Sequence, residues 1–450
     1  MKYFEIKNRK SFYNNVELQK IIQKEKTPTK VVFLDVIEKQ IKILKNAFNI
    51  AIDKLDYKKD FVFLNASKAN YNSEIIFTAI KYSDGAETSS YHDLELTSAL
   101  MSLDKNLKDK PIYCNGLKTK AYCDKIVSLH NKHVKIIDIV DDINELEYLL
   151  SQDLNNPLEI GVRINLTGLY GDKKENDRFG LSQEALVQFR EKLKNQNKLL
   201  LTTVHFHQRG MVFNEKKFYT NIKKICCQYA ELKKQFPSLT KLDIGGGAPY
   251  SYDNDVDYNI WAENLIKVLK VFFDKRKIDV PSLIMENGKY TVKDSMINLY
   301  SVVGTKKTNN DFLWYLLNTS LVLAIPEYYM CGEEMRIVPV NNLENKMVKT
   351  KLAGITCDCD DIYSGENGYL LMPEIKDENQ YIAILGTGSY QESLTSYTGI
   401  RHCLIPAEKR VISFIKNGKR EFITTNNFQT KEDIFQKVNF NKEFLKQFID

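Results

Sequence analysis

Through the first two thirds of the chain, short runs of β-branched and aromatic residues alternate with longer stretches in which apolar positions recur every three or four residues. The short runs read as strands and the longer period as amphipathic helices. Eight strands are predicted, at 61–65, 84–87, 111–114, 134–138, 158–165, 200–207, 241–244 and 282–286. Helices are predicted between them, among them 71–81, 118–130, 144–152, 215–235 and 258–275. Parallel strands need crossovers of this length, and right-handed crossovers repeated eight times close into a (β/α)8 TIM barrel.

After Tyr290 the pattern changes. Strand-like segments at 335–340, 349–356, 369–372, 381–385, 410–414 and 420–424 follow without long helices between them. They predict a separate, mostly β domain, a sandwich or a barrel. The expected organisation is an N-terminal segment 1–30 joining the β domain, a barrel over 31–290 and the β domain over 291–450.

Composition narrows the function classes. A chain of 450 residues with 43% hydrophobic content can bury large cores, which excludes disorder and a bare disulfide scaffold. Its 64 basic and 58 acidic side chains leave a net charge of only +6 with no long basic block, so nucleic-acid binding is not expected. No apolar run approaches the roughly 18 residues of a membrane span, and Met1–Lys7 lacks an apolar signal core, so a cytoplasmic protein is expected. The eight cysteines are scattered without a CxxC pair and are expected to be thiols. Cys357-Asp358-Cys359 and Cys226-Cys227 lack the partner spacing of a zinc site, so no metal is expected.

Barrel active sites gather at the C-terminal ends of the strands. The first strand runs into Ser67-Lys68-Ala69-Asn70, where a partly desolvated lysine suits covalent capture of an aldehyde. The sixth ends in His205-Phe206-His207, two imidazoles on one face. They fit a polar strand face, a metal site short of a third ligand, or a ring stacked on a planar cofactor. The seventh ends in Gly245-Gly246-Gly247, a turn able to wrap a phosphate. The eighth ends in Glu286-Asn287-Gly288-Lys289, an ion pair on a turn or a carboxylate for a ring nitrogen. An amine, a phosphate cradle and a carboxylate together are what pyridoxal 5'-phosphate needs.

From about residue 28 to about residue 400 the chain resembles the fold-type III pyridoxal-phosphate decarboxylases, which share an alanine-racemase-like barrel and include ornithine, diaminopimelate and biosynthetic arginine decarboxylases. Thr27-Pro28-Thr29 with Phe33-Leu34-Asp35 looks like the segment leading into that barrel, and Ser67-Lys68-Ala69-Asn70 matches the cofactor-lysine motif. Phe206-His207 matches the stacking histidine, Leu242–Gly247 the phosphate loop, and Glu286–Lys289 the family's Glu-Pro-Gly-Arg. Thr356-Cys357-Asp358 resembles the Cys-Asp pair that reaches a neighbouring subunit's site, and Gly388-Ser389-Tyr390 the Gly-Ala-Tyr whose phenol meets the phosphate.

The resemblance implies that Lys68 carries the cofactor, with Glu87, Arg163, His207, Gly245, Gly246, Gly247, Glu286, Lys289 and Tyr390 around it. It implies that Cys357 returns a proton to Cα, that Asp358, Arg209 and Glu327 meet the substrate, and that two copies form a homodimer with shared sites. Two departures stand out: Gln208-Arg209-Gly210 replaces the usual Val-Gly-Ser, and Lys289 replaces an arginine fork. The carboxylate at the ring nitrogen favours decarboxylation over racemisation, since alanine-type racemases resemble this family but place an arginine there. The expected substrate is a basic or side-chain-modified L-amino acid, with citryl-ornithine on a rhizoferrin-type siderophore route as the specific expectation. The alternatives are an ornithine, arginine or diaminopimelate decarboxylase of polyamine or lysine metabolism, an amino-acid racemase, and a catalytically silent regulatory homologue.

Overall fold

The computed structural model describes residues 2–166, 178–208, 215–250, 256–308, 312–376 and 379–449. It divides chiefly into two compact units, Glu38–Ser251 with Asp255–Thr291, and Met1–Ile37 with Val292–Asp450.

In the first unit eight parallel strands close into a barrel, Phe61–Ala66, Gly85–Thr88, Ile112–Cys114, Ile136–Val140, Leu158–Arg163, Leu199–His205, Lys241–Asp243 and Ser282–Asn287. The closure is a pairing of the eighth strand with the first, in which Glu286 lies opposite Leu64 and Asn287 opposite Asn65. Buried Leu64, Tyr113, Ile137, Ile139 and Ile284 fill the barrel. Helices follow the strands, with polar caps where the chain turns back. Asp257, for example, accepts from the backbone amides of Asn259 and Ile260 at 2.9 and 3.2 Å, which starts the helix Tyr258–Asp274.

The register of the barrel aligns its chemistry. Arg163 is the partner of His205, and His205 is the partner of Asp243. Three functional side-chain types from three strands therefore end in one row at the C-terminal rim. A register shift between Leu201 and Thr203 sets this phase.

In the second unit the strand Thr29–Phe33 runs between Met296–Lys307, to which it is antiparallel, and Lys409–Lys416, to which it is parallel. These belong to a ten-stranded sheet, beside a three-stranded meander made by Phe4–Lys7, Lys10–Tyr13 and Val16–Glu17. Period-two alternation sorts its apolar residues into two cores. Ile297, Leu299, Ala383 and Leu385 enter one cluster with Val31 and Phe33, while Tyr300, Ile382 and Ile384 enter the other with Tyr315 and Leu352.

The expected division at residue 31 moves as a result. Thr29–Phe33 is buried along its whole length inside the sheet, so the barrel unit starts at Glu38. Its five buried positions in a row mark a strand covered on both faces, and the helix Leu34–Lys54 follows it directly.

Candidate active site

Lys68 stands on the single 3-10 turn Ser67–Ala69 directly after the first barrel strand. Ser67 Oγ donates to the buried Asp93 carboxylate at 2.7 Å, and Asn70 N–H closes the turn on Ser67 O at 2.9 Å. The turn is thus held from below and the lysine projects from it, its side chain 35% exposed and its Nζ 3.6 Å from Glu87 Oε2. Gly288 packs against the same turn: a Cβ there would meet Ala69 Cβ at 2.9 Å and Ala66 O at 3.1 Å. This close approach brings the eighth-strand motif beside the lysine.

Glu286 is the centre of the polar cluster. Asn115 Nδ2 donates to its Oε1 at 2.6 Å and to Glu87 Oε1 at 3.0 Å, and His205 Nε2 lies 3.5 Å away. Burial opposes its charge, but His205, Lys68 and Asn115 together hold the Glu286 carboxyl below the usual carboxylate range. Burial pushes Glu87 up to about 7, with Lys68 pulling it down and Glu286 and Asp93 pushing it further up. Burial and the neighbouring Glu286 push Asp243 well up as well. Three carboxyls therefore converge at the rim, and the negative charge settles on Glu286.

Both histidines turn to this cluster. Burial lowers His205, and burial with the Lys68 charge lowers His207 to about 3. Gly246 N–H donates to His207 Nδ1 at 3.3 Å, which leaves Nε2 to carry the proton of a neutral ring. Arg163 disfavours protonation of both rings; its guanidinium stacks 4.4 Å from the Phe179 ring and lies 3.6 Å from Asp141. His205, Asp243 and Glu286 bring ligand-type atoms within 4.8 Å of one another, a group that does not include His207, so the two imidazoles are not brought together as a metal pair.

The glycine turn narrows the expected cradle. Gly245 N–H donates to Asp243 Oδ1 at 2.9 Å and Gly246 N–H to His207, so two of the three amides serve the protein itself. Neither residue has room for a side chain, since a Cβ on Gly245 would meet His207 Nδ1 at 2.6 Å and one on Gly246 would meet Glu286 O at 2.6 Å. Gly247 follows in a left-handed conformation with φ 99°. Gln208, one of the departures, accepts from Asn221 Nδ2 at 2.9 Å and so ties the strand end to the helix Glu215–Gln235. Arg209 lies outside the described residues. Lys289 is half-buried at the start of the short helix Lys289–Val292.

Four expected site residues belong to the second unit. Cys357 is exposed, 3.6 Å from Cys403 Sγ to Sγ, and that contact holds its thiol above the usual range. Asp358 accepts from Asp360 N–H at 2.9 Å within its own turn. Glu327 is buried and accepts from Gln391 Nε2 at 2.7 Å. Tyr390 has φ 61° and precedes the helix Gln391–Thr395.

A family model described as the pyridoxal-binding domain of pyridoxal-dependent decarboxylases matches residues 34–293, more than half of the chain. The chain belongs to the pyridoxal-dependent decarboxylase family. A biosynthetic arginine decarboxylase of Shewanella halifaxensis is 26% identical to it over 304 residues, 62% of this chain and 47% of that protein. The chain spans about half the length of the curated relatives it matches. The crystal structure of a biosynthetic arginine decarboxylase from Campylobacter jejuni matches with a TM-score of 0.86 at 20% identity, covering 99% of this chain and 90% of that one. A diaminopimelate decarboxylase from M. jannaschii, solved with L-lysine, matches with a TM-score of 0.78 at 20% identity over 96% and 97% of the two chains. These likenesses show the fold, a TIM barrel with a separate sheet domain.

The site fits the cofactor of the pyridoxal-dependent decarboxylases. A buried, ionised Glu286 calls for a cationic partner, which a protonated ring nitrogen supplies. Glu87 Oε2, Asp243 Oδ2 and both His205 nitrogens are buried without a hydrogen-bond partner among the described residues, so polar capacity remains at the rim. A neutral His207 can cover a cationic ring without repelling it. Sequence reasoning missed Asn115. Its signal was the rule that barrel chemistry sits at strand ends, because it directly follows the third strand Ile112–Cys114.

Proposed function

We propose that this chain is a pyridoxal-phosphate-dependent decarboxylase that removes the α-carboxylate of a basic L-amino acid. The observation that carries the reading is the ionised Glu286 among two carboxyls whose pKa values are raised, beside Lys68. When bound, the cofactor supplies an electron sink for the carbanion that loss of CO2 leaves. Lys68 Nζ is the amine that would hold the cofactor through its aldehyde. Glu286 keeps a proton on the ring nitrogen, which strengthens the sink, and Asn115 holds Glu286 in place. His207 covers the ring face as a neutral imidazole. The Gly247 amide would hold the phosphate, with Lys289 and Tyr390 as further candidates, since the Gly245 and Gly246 amides are engaged.

The Cys357 thiol, kept protonated, returns the proton to Cα, with Asp358 and Glu327 on the substrate side. In this reading Cys357 and Asp358 serve the barrel of a second copy, so the active unit is a homodimer. Arginine is the first substrate to test, because curated relatives are named for it.

The test is turnover by the purified, cofactor-loaded protein of arginine, ornithine, lysine, diaminopimelate and citryl-ornithine, reading CO2 release and optical rotation together. CO2 from one basic amino acid in clear preference supports the proposal. A preference for citryl-ornithine would move the substrate to the siderophore reading. Loss of optical activity without CO2 makes the protein a racemase, and no cofactor absorbance with no turnover makes it a silent homologue.

A further inference from the structure

Three ligand-type atoms outside the barrel site come together on the second unit. Cys357 Sγ, Cys403 Sγ and an imidazole nitrogen of His402 all lie within 4.8 Å of one another and are exposed. The two thiols are 46 residues apart in the chain and 3.6 Å apart in space. A tetrahedral zinc ion with Zn–S bonds of about 2.3 Å holds its two sulfurs about 3.8 Å apart, so this pair needs almost no movement to bind one. A disulfide would need the sulfurs to close to about 2.05 Å.

Both loops that carry the ligands are anchored. The Cys357 loop is tied by Asp361, which accepts from Thr356 Oγ1 at 2.5 Å and from the Leu321 and Val322 amides at 2.5 and 3.2 Å. The His402–Cys403 turn is tied through Arg401, which donates to Glu408 Oε2 at 2.9 Å and to Pro406 O at 3.1 Å. Cys403 itself sits in the left-handed region at φ 55° and ψ 19°. Ligands on separately pinned loops form a site whose geometry is set before the ion arrives.

We infer that Cys357, Cys403 and His402 form a binding site for a divalent cation of the zinc class, and that its occupation removes the Cys357 sulfur from catalysis. Two thiolates and an imidazole select zinc-class ions over magnesium or calcium, and three protein ligands leave a fourth position for water. On binding, each thiol loses its proton to solvent as a metal–sulfur bond forms, and no electron changes hands. The binding claim stands on the cluster alone; the inhibition claim rests on the reading of Cys357 as the returning acid.

Cobalt(II) is the probe, added to the full-length, cofactor-loaded protein with its thiols kept reduced. The expected result is one equivalent bound, with thiolate-to-cobalt absorption in the near ultraviolet that Zn2+ displaces. Cys403→Ser and His402→Ala are each expected to weaken binding by at least the roughly 10- to 100-fold that loss of an outer partner costs at a metal site. Zn2+ should inhibit the wild type reversibly, with activity restored by a chelator, while Cys403→Ser keeps its basal activity and resists the ion. No thiolate–cobalt band, or a band of equal affinity in Cys403→Ser, overturns the site. So does a Cys357–Cys403 disulfide that accounts for all loss of activity. Cobalt binding at the cluster without any inhibition leaves the site standing and sinks the assignment of Cys357 as the acid.

Discussion

Asn115 donates to Glu286 Oε1 at 2.6 Å across 171 residues of sequence. The same amide group reaches Glu87, which lies 3.6 Å from Lys68, so one side chain ties together Glu286 and Glu87. Replacing it with leucine removes a hydrogen bond to a charged group worth about 1.5–3 kcal/mol. The variant is expected to fold normally, to bind the cofactor more weakly and to lose about 10- to 150-fold in turnover. Cofactor titration and kcat measured side by side check this, and an unchanged kcat would remove Asn115 from the site.

The two carboxyls should respond oppositely to amide replacement. Glu87 is pushed up to about 7 by burial, so near neutrality about half of it is protonated, and glutamine mimics that form. Glu286 carries the charge, and Glu286→Gln takes away the partner of the ring proton. Glu87→Gln is expected to keep activity within about tenfold, while Glu286→Gln loses about 100-fold or more. Because the folded pKa of Glu87 is raised, its contribution to stability is present below the ordinary value of 4.5 and is lost as pH rises through about 7. Thermal melts of the cofactor-free protein from pH 5 to pH 8 should show a downward slope that Glu87→Gln flattens.

Lys68→Ala is expected to abolish both the absorbance of the lysine-bound cofactor and all turnover. Cys357→Ala should keep the absorbance and lose rate or alter the product. If Cys357 serves the barrel of a second copy, mixing the two variants should raise activity above that of either alone, because a mixed dimer then contains one intact site. Full activity in Lys68→Ala would exclude the scheme.

Gly246→Ala places a Cβ 2.6 Å from Glu286 O, a backbone atom that cannot step aside without moving the carboxylate. The change is expected to cost about 1–3 kcal/mol of stability and a larger share of cofactor affinity. Denaturation curves with and without cofactor separate the two effects.

Acid should act first on the second unit through Glu408, whose pKa is lowered to about 2: burial opposes the charge, and Lys30 and Arg401 more than offset it. A lowered folded pKa contributes stability above the ordinary value of 4.5 that is lost as pH falls from there through about 2. Glu408→Gln leaves the buried Arg401 without its carboxylate and Lys30 with Glu392 alone at 3.5 Å, and about 3–5 kcal/mol of destabilisation is expected at neutral pH. The variant should also show a shallower loss of stability below pH 4.5 in equilibrium unfolding.

Much of the fold is legible in the order of residues. The eight strand runs, the helix 215–235 and the lysine, histidine, glycine and glutamate motifs all lie where the periodicity places them. Each is a local signal, since a strand announces itself within five residues and a strand-end motif within four. The place of Thr29–Phe33 in the sheet is not legible in the same way, because whether a buried strand pairs in a barrel or in a sheet depends on partners such as Met296–Lys307 and Lys409–Lys416.

The sequence alone determines the barrel, the separate sheet domain and the residue types at the strand ends, because these follow from spacing within single segments. Only the tertiary structure decides which carboxyl carries the charge, that His207 is neutral, that Asn115 bridges Glu87 and Glu286, and that Cys357 meets Cys403. Each of these depends on burial and on charges brought within a few ångströms by register and loop packing from distant parts of the chain. Electrostatic interaction falls with distance in space, whatever the separation along the backbone.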